Sequence, residues 1–215
     1  MERITELEEM FINIRINFAK KFLLLPDKIE LYFEDCPSNR FPSLVNAAES
    51  DDHAIYINDQ WYHMNIAKHP LNVSYFIFHE LRHMHQITSI VRLHHKLPVQ
   101  DPESEILQWE DDFKSYIRNV DAETQEQNLQ QTIEKDATAY GISLTNLFYL
   151  GNNEVDWSLS IPENAYDTAN ELSKMYYKSK PELKKYIDDL LQKAASENRQ
   201  RKTNHAHKKK RKKRK

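Results

Sequence analysis

Only two of the 215 residues are glycine, Gly141 and Gly151. Glycine supplies positive φ angles and close backbone approach, so tight turns draw on it first. A chain this poor in glycine argues against a turn-rich barrel or sandwich and points to helices. It also has no place for a G-x-G-x-x-G dinucleotide loop, a Walker-type phosphate loop or a G-x-S-x-G nucleophile elbow, since each needs glycine at fixed offsets. The length is enough for one substantial core.

Hydrophobic spacing fills in the elements. Ile4, Leu7, Met10, Phe11, Ile14, Phe18 and Phe22 recur at helical period, so an amphipathic helix is expected over 3–23, closed by Pro26. Residues 28–34, KIELYFE, alternate at strand period. Further strands are expected at Ser43–Ala47 and His53–Asn58, giving a small antiparallel sheet of about three strands. Helical period returns over 71–95. A short acidic helix is expected over 104–117, carrying Ile106, Trp109, Phe113 and Ile117, with Trp109 and Phe113 in the core beneath it. One long helix should run from Ala122 to Tyr149, with Asp121 as its cap and Gly151 just past its end. Two more helices follow near 162–178 and 181–195, with Pro162 and Pro181 in their first turns. The expected fold is therefore α+β and mainly helical. It divides into a body over 1–150, a helical extension over 151–197 and a tail over 198–215.

Charge separates the tail from the rest. The chain has 30 Lys+Arg and 33 Asp+Glu, a net of −3. Eleven of the basic residues fall in the last 17 positions, which hold no acid, so residues 1–198 carry −14. Residues 208–215, KKKRKKRK, attract phosphate polymers, and a non-specific nucleic-acid tether is one expectation. No aromatic is interleaved, so base stacking is not indicated. A solubilising tail is the plainer alternative. With Ala206 its sole apolar residue, the tail is expected to be disordered. A lone cysteine, Cys36, forms no internal disulfide and lacks a basic neighbour that would activate it. The start ERITELEE is not a basic secretory leader, and no run is long enough to span a bilayer. A soluble cytoplasmic protein without membrane contact is expected.

The chemistry concentrates in His79-Glu80-Leu81-Arg82-His83, entered from Tyr75, Phe76, Ile77 and Phe78. On a helix, His79 and His83 lie one turn apart, within roughly 40° of each other. Two imidazoles so placed can grip one Zn²⁺, and Glu80 between them can reach a water rather than the metal and act as general base. A catalytic zinc needs a third protein ligand. No x-x-Gly-x-x-His follows His83, so a metzincin pattern is absent. On the later helix, Leu129, Ile133, Tyr140, Leu144 and Leu147 define the buried stripe, with Glu134 and Asp136 on opposite shoulders. Glu134 shares its shoulder with Ala137, Thr138 and Gly141, whose small side chains admit a close neighbour, so Glu134 is the favoured third ligand. Asp136, His63, His69, His94 and His95 are the alternatives. His85 projects away from His83 and is expected on the surface.

His79-Glu80-Leu81-x-His83 after a hydrophobic run, followed by Glu134-x-x-Ala137-x-x-Tyr140, resembles the gluzincin metallopeptidases. More narrowly it is similar to the ImmA/IrrE family. The resemblance covers roughly residues 1–150. It implies a compact α+β fold, bound zinc held by His79, His83 and Glu134, Glu80 as general base, and an edge strand at Ala54–Asn58 that takes substrate in extended form. The implied substrates are intracellular proteins such as regulators or repressors. Two features depart from the family. Thr138 stands where Asn or Asp usually orients a ligand histidine. The 51 steps from His83 to Glu134 are long for the family, and the acidic helix 104–117 looks like an insertion that would favour basic substrates. Two other readings stay open: a DNA-associated protease tethered by its tail, and a non-catalytic zinc-stabilised interaction module.

Overall fold

The computed structural model describes residues 5–118, 122–149, 167–169, 171–172 and 180–212. Helix α1 spans Glu6–Ala19 and opens with a capping box. Thr5 Oγ1 accepts from the Glu8 amide at 3.3 Å, and Glu8 Oε2 accepts from the Thr5 amide at 2.7 Å. The helix stops at Ala19, short of Pro26, and the chain turns through 20–23 so that Leu23 is also buried.

Three strands follow: β1 (Glu30–Glu34), β2 (Ala48–Ser50) and β3 (Ala54–Asn58). Their order is β1-β3-β2. The sheet is mixed, not antiparallel as its spacing suggested. β2 pairs antiparallel to β3, but β1 runs parallel to it, from Glu30 opposite Ala54 to Glu34 opposite Asn58. The reason lies in the connections. Only residues 51–53 join β2 to β3, and Asp51 Oδ1 closes that turn by accepting from the His53 and Ala54 amides. The segment 35–47 carries the chain past the place of β3 at the end of the sheet where β1 stops, and β2 itself brings it back to the end where β1 and β3 begin. The second strand lies at 48–50 rather than 43–47, because Asn58 draws off the carbonyls of Ser43 and Asn46 through its amide.

Helix α2 (Asp59–Asn65), capped by Asn58, leads to the central helix α3 (Pro70–His94), which begins on a proline. Helix α4 covers Glu103–Lys114. In place of one helix over 122–149 there are two, α5 (Ala122–Gln130) and α6 (Thr132–Phe148), broken at Gln131, whose φ, ψ of −65°, 143° are extended. The break is held from outside. Ile133 donates its amide to Asp112 of α4 at 3.1 Å, and Gln131 Oε1 accepts from the Ile117 amide at 3.0 Å. Glutamine is a good helix former, so the residue pattern carries no mark of the break.

Helix α7 runs from Lys180 to Lys212, with Pro181 in its first turn. The tail expected to be disordered is therefore helical as far as Lys212. Leu183 and Ile187 anchor the helix against the core, and no glycine or proline interrupts residues 182–212, so a helix started by packing propagates into the cationic stretch. Residues 167–169 and 171–172 are helical. The rest of the helix expected over 162–178, with Pro162, and the cap and stop residues Asp121 and Gly151 lie outside the described residues.

One core joins α1, the sheet, α3, α6 and α7 through Ile12, Phe18, Ile55, Phe78, Leu81, Leu144 and Ile187. A second cluster of Ile106, Trp109 and Ile133 fastens α4 to α6, with Phe113 against it, as the spacing of 104–117 led one to expect. The fold is α+β, mainly helical with a small sheet. Among the described residues no helix is long and apolar enough to cross a membrane.

Candidate metal centre

Helices α3 and α6 meet where Gly141 faces Tyr75. A Cβ at Gly141 would lie 2.9 Å from Tyr75 Cε2 and 3.2 Å from the Tyr75 carbonyl oxygen, so only glycine permits this approach. The approach brings Glu134 of α6 onto the His79–His83 face of α3. All three residues are buried.

Their ligand atoms form a small triangle. His79 Nε2 lies 3.1 Å from His83 Nε2 and 3.2 Å from Glu134 Oε2, and His83 Nε2 lies 3.5 Å from the same oxygen. A tetrahedral ion with bonds of ~2.0–2.1 Å needs ligand–ligand edges of ~3.3–3.4 Å. The triangle matches one face of that tetrahedron, and two imidazoles with a carboxylate suit zinc. Asp136, His63, His69, His94 and His95 are not part of this group. Asp51, Asp52 and His53 also sit close together, but in the exposed turn between β2 and β3.

The electrostatics fit a cation site. Burial alone would raise Glu134, but His83 and the hydrogen bonds from both histidines hold its carboxyl well below the usual range. Burial opposes protonation of His83, yet the facing Glu134 carboxylate outweighs it and pushes the ring up to about 9. Burial raises Glu80, against the pull of His79, His83 and Ser50. Ser50, at the end of β2, donates its hydroxyl to Glu80 Oε2 at 2.9 Å and fixes that carboxylate in the cleft.

Several supporting residues had no signal in the motif. Glu134 Oε1, the oxygen turned from the histidines, accepts from Tyr116 Oη at 2.6 Å and from Asn128 Nδ2 at 3.0 Å. These come from the segment after α4 and from α5, so the long spacing between His83 and Glu134 supplies both groups that hold the carboxylate. Gln86 rather than Thr138 meets a ligand histidine: its Oε1 lies 2.8 Å from His83 Nδ1. Thr138 accepts a long hydrogen bond from Tyr75 at 3.4 Å. His79 Nδ1 is buried with no hydrogen-bond partner among the described residues.

His85 is not on the surface. It is fully buried, accepts from the Leu24 amide at Nδ1 (2.7 Å) and meets Asp101 at Nε2 (2.6 Å). A projection of α3 alone shows one buried face, but the turn after α1 and the approach to α4 cover the opposite one.

The triangle opens into a cleft of about 380 Å³ lined by β2, Phe76, Phe113, Tyr116 and Arg118. The edge of the sheet beside it is β2, not Ala54–Asn58, which is the central strand. None of the acids of α4 lines the cleft. Arg118 does, paired with Glu49 of β2, which also meets Arg40 at 3.2 Å. Compared with protein families, with curated proteins and with solved structures, the chain matches none. The reading of the site rests on its own geometry.

Proposed function

We propose that this protein is a zinc-dependent metallopeptidase acting on protein or peptide substrates. The observation that carries the reading is the His79–His83–Glu134 triangle, sized for a tetrahedral ion, with Glu80 in the same cleft. Zinc bound there supplies Lewis-acid polarisation of a carbonyl and brings the pKa of a water towards neutrality. The chain's own residues do the rest. Glu80, buried and raised in pKa, accepts the proton of the attacking water and returns it to the leaving amine. Ser50 keeps one Glu80 oxygen in place, and Tyr116 with Asn128 keeps Glu134 turned to the histidines. Strand β2 is an edge strand along the cleft, suited to pairing with a peptide in extended form. Phe76 and Phe113 provide apolar lining.

The test combines metal analysis with one conservative change. Protein purified without chelators should hold one zinc, and Glu80→Gln should keep that zinc while losing hydrolysis of a peptide library by at least 10²-fold. If both proteins bind zinc and neither cleaves any peptide or cellular protein, the non-catalytic zinc-stabilised module is the correct reading. Absence of zinc, unaffected by Glu134→Ala, removes both.

A tether to nucleic acid is the second element of the proposal. What favours it is that the cationic stretch continues α7 as a helix beyond Arg201, which lies 3.9 Å from Glu9. Lys208 to Lys212 are five consecutive cations, which on a helix cover every face. Such a density of charge suits a phosphate backbone.

A further inference from the structure

We propose that Gln86 is the residue that sets the metal-binding tautomer of His83, and that Arg82 and Asp136 in turn set Gln86. The inference rests on the metal-centre reading and goes beyond the three ligands. Gln86 is fully buried, and its amide end has two neighbours that can only accept: the Ile133 carbonyl at 3.1 Å and Asp136 Oδ2 at 2.6 Å. Asp136 is kept an acceptor by the Arg82 guanidinium, which donates from Nε at 2.8 Å and from Nη2 at 3.3 Å. The NH₂ of Gln86 must therefore face Ile133 and Asp136, which leaves Oε1 facing His83 Nδ1 at 2.8 Å. An oxygen there can only accept, so Nδ1 must carry the proton. The neutral ring then presents the lone pair of Nε2 to His79 and Glu134, the form a metal needs.

The same chain extends away from the site. Arg82 also donates to Asp101 Oδ1 at 3.1 Å, and Asp101 Oδ2 meets His85 Nε2. Because His85 Nδ1 accepts from Leu24, its Nε2 must be the donor. Every link thus has one allowed direction from Leu24 to His83. Among the described residues His79 has no hydrogen-bond partner at Nδ1. His83 is accordingly the preset ligand, and His79 is the one whose tautomer the bound ion itself selects.

Two variants and one spectroscopic readout test this. Gln86→Leu removes the acceptor. Asp136→Asn lets the Gln86 amide turn over, presenting NH₂ to His83 and favouring the wrong tautomer, although position 136 touches no ligand atom. Zinc affinity by chelator competition should fall 10–100-fold in both. Long-range ¹⁵N–¹H correlation on zinc-loaded wild type should place the proton of His83 on Nδ1. Wild-type zinc affinity in the folded Asp136→Asn protein, or a His83 whose Nδ1 lacks the proton, overturns the proposal. Failure of the metal reading shows itself differently, as wild type that takes up no zinc. The neutral ring of His83 in metal-free protein at alkaline pH then still decides the role of Gln86 by the same correlation.

Discussion

Tyr116 donates its hydroxyl to Glu134 Oε1 at 2.6 Å, and the other oxygen of that carboxylate is the one facing His79 and His83. A flexible carboxylate is thereby held with a single oxygen at the metal position. A hydrogen bond to a charged group contributes about 1.5–3 kcal/mol. Tyr116→Phe should therefore weaken zinc binding about tenfold or more while leaving the fold intact, since Asn128 still holds Oε1. Chelator competition on the two proteins checks this, and unchanged affinity would falsify a positioning role for Tyr116.

Zinc binding should compete with protons. The metal-free His83 ring is pushed up to about 9 by Glu134, so zinc must displace a proton at neutral pH. Affinity should rise close to tenfold per pH unit between about pH 7 and 9 and then level. The sign reverses for the metal-free fold. A base whose pKa is raised on folding stabilises the folded state below its unfolded value, and that contribution is lost as pH rises through about 9. Zinc titrations and thermal melts across this window check both halves.

Asp101→Ala should destabilise the protein by about 2–3 kcal/mol, because it leaves His85 Nε2 without its acceptor and removes one of two carboxylates from buried Arg82. Burial holds His85 below its usual value against the pull of Asp101, and Asp101 itself is lowered against burial by His85 and Arg82. Both shifts make the folded state bind fewer protons than the unfolded one. Their stabilisation is therefore lost as pH falls below about 6.5 for His85, and further as Asp101 protonates. Because Asp101 pulls His85 upward, its removal deepens the acid loss at His85, so urea melts of both proteins at pH 7 and pH 5 should differ at least as much at the lower pH.

Gly141→Ala tests the approach of the two helices. An added methyl recovers about 1 kcal/mol of helix propensity. The contact with the Tyr75 backbone oxygen at 3.2 Å cannot relax without moving a helix, and overpacking costs about 1–3 kcal/mol. A modest net loss of stability is expected, with weaker zinc binding as α6 carries Glu134 outward. Equal or higher melting temperature with unchanged zinc affinity would contradict it.

The cationic end of α7 should bind duplex DNA of arbitrary sequence, with affinity falling steeply as salt rises. Replacing Lys208–Lys210, Arg211 and Lys212 with glutamine should reduce the salt slope by about 4–5. Fluorescence anisotropy from 50 to 200 mM salt measures it. No binding at the lowest salt, or a slope unmoved by the substitutions, removes the tether.

Much of the site was legible along the chain because its information is local. The His79–His83 pair needs only the pitch of one helix, and the small residues around Glu134 mark a face that another helix can approach. The core role of Trp109 and the helical course of 71–95 follow from period in the same way. Where contacts reach across the chain, the pattern misled. His85 seemed exposed because its covering residues, Leu24 and Asp101, lie 61 and 16 positions away. The break at Gln131 is held by Asp112 and Ile117, and nothing at Gln131 announces it.

The scarcity of glycine, the helical periods and His79-Glu80-x-x-His83 by themselves determined a mainly helical α+β chain with two imidazoles on one helix face. Only the tertiary structure decided that β1 and β3 are parallel, that β2 is the strand along the cleft, and which groups hold Glu134 and His83 in place. The physical reason is the range of the forces. Backbone sterics and side-chain period act within a turn or two, whereas hydrogen bonds to buried donors and acceptors must be satisfied by whatever residue the packed chain brings near.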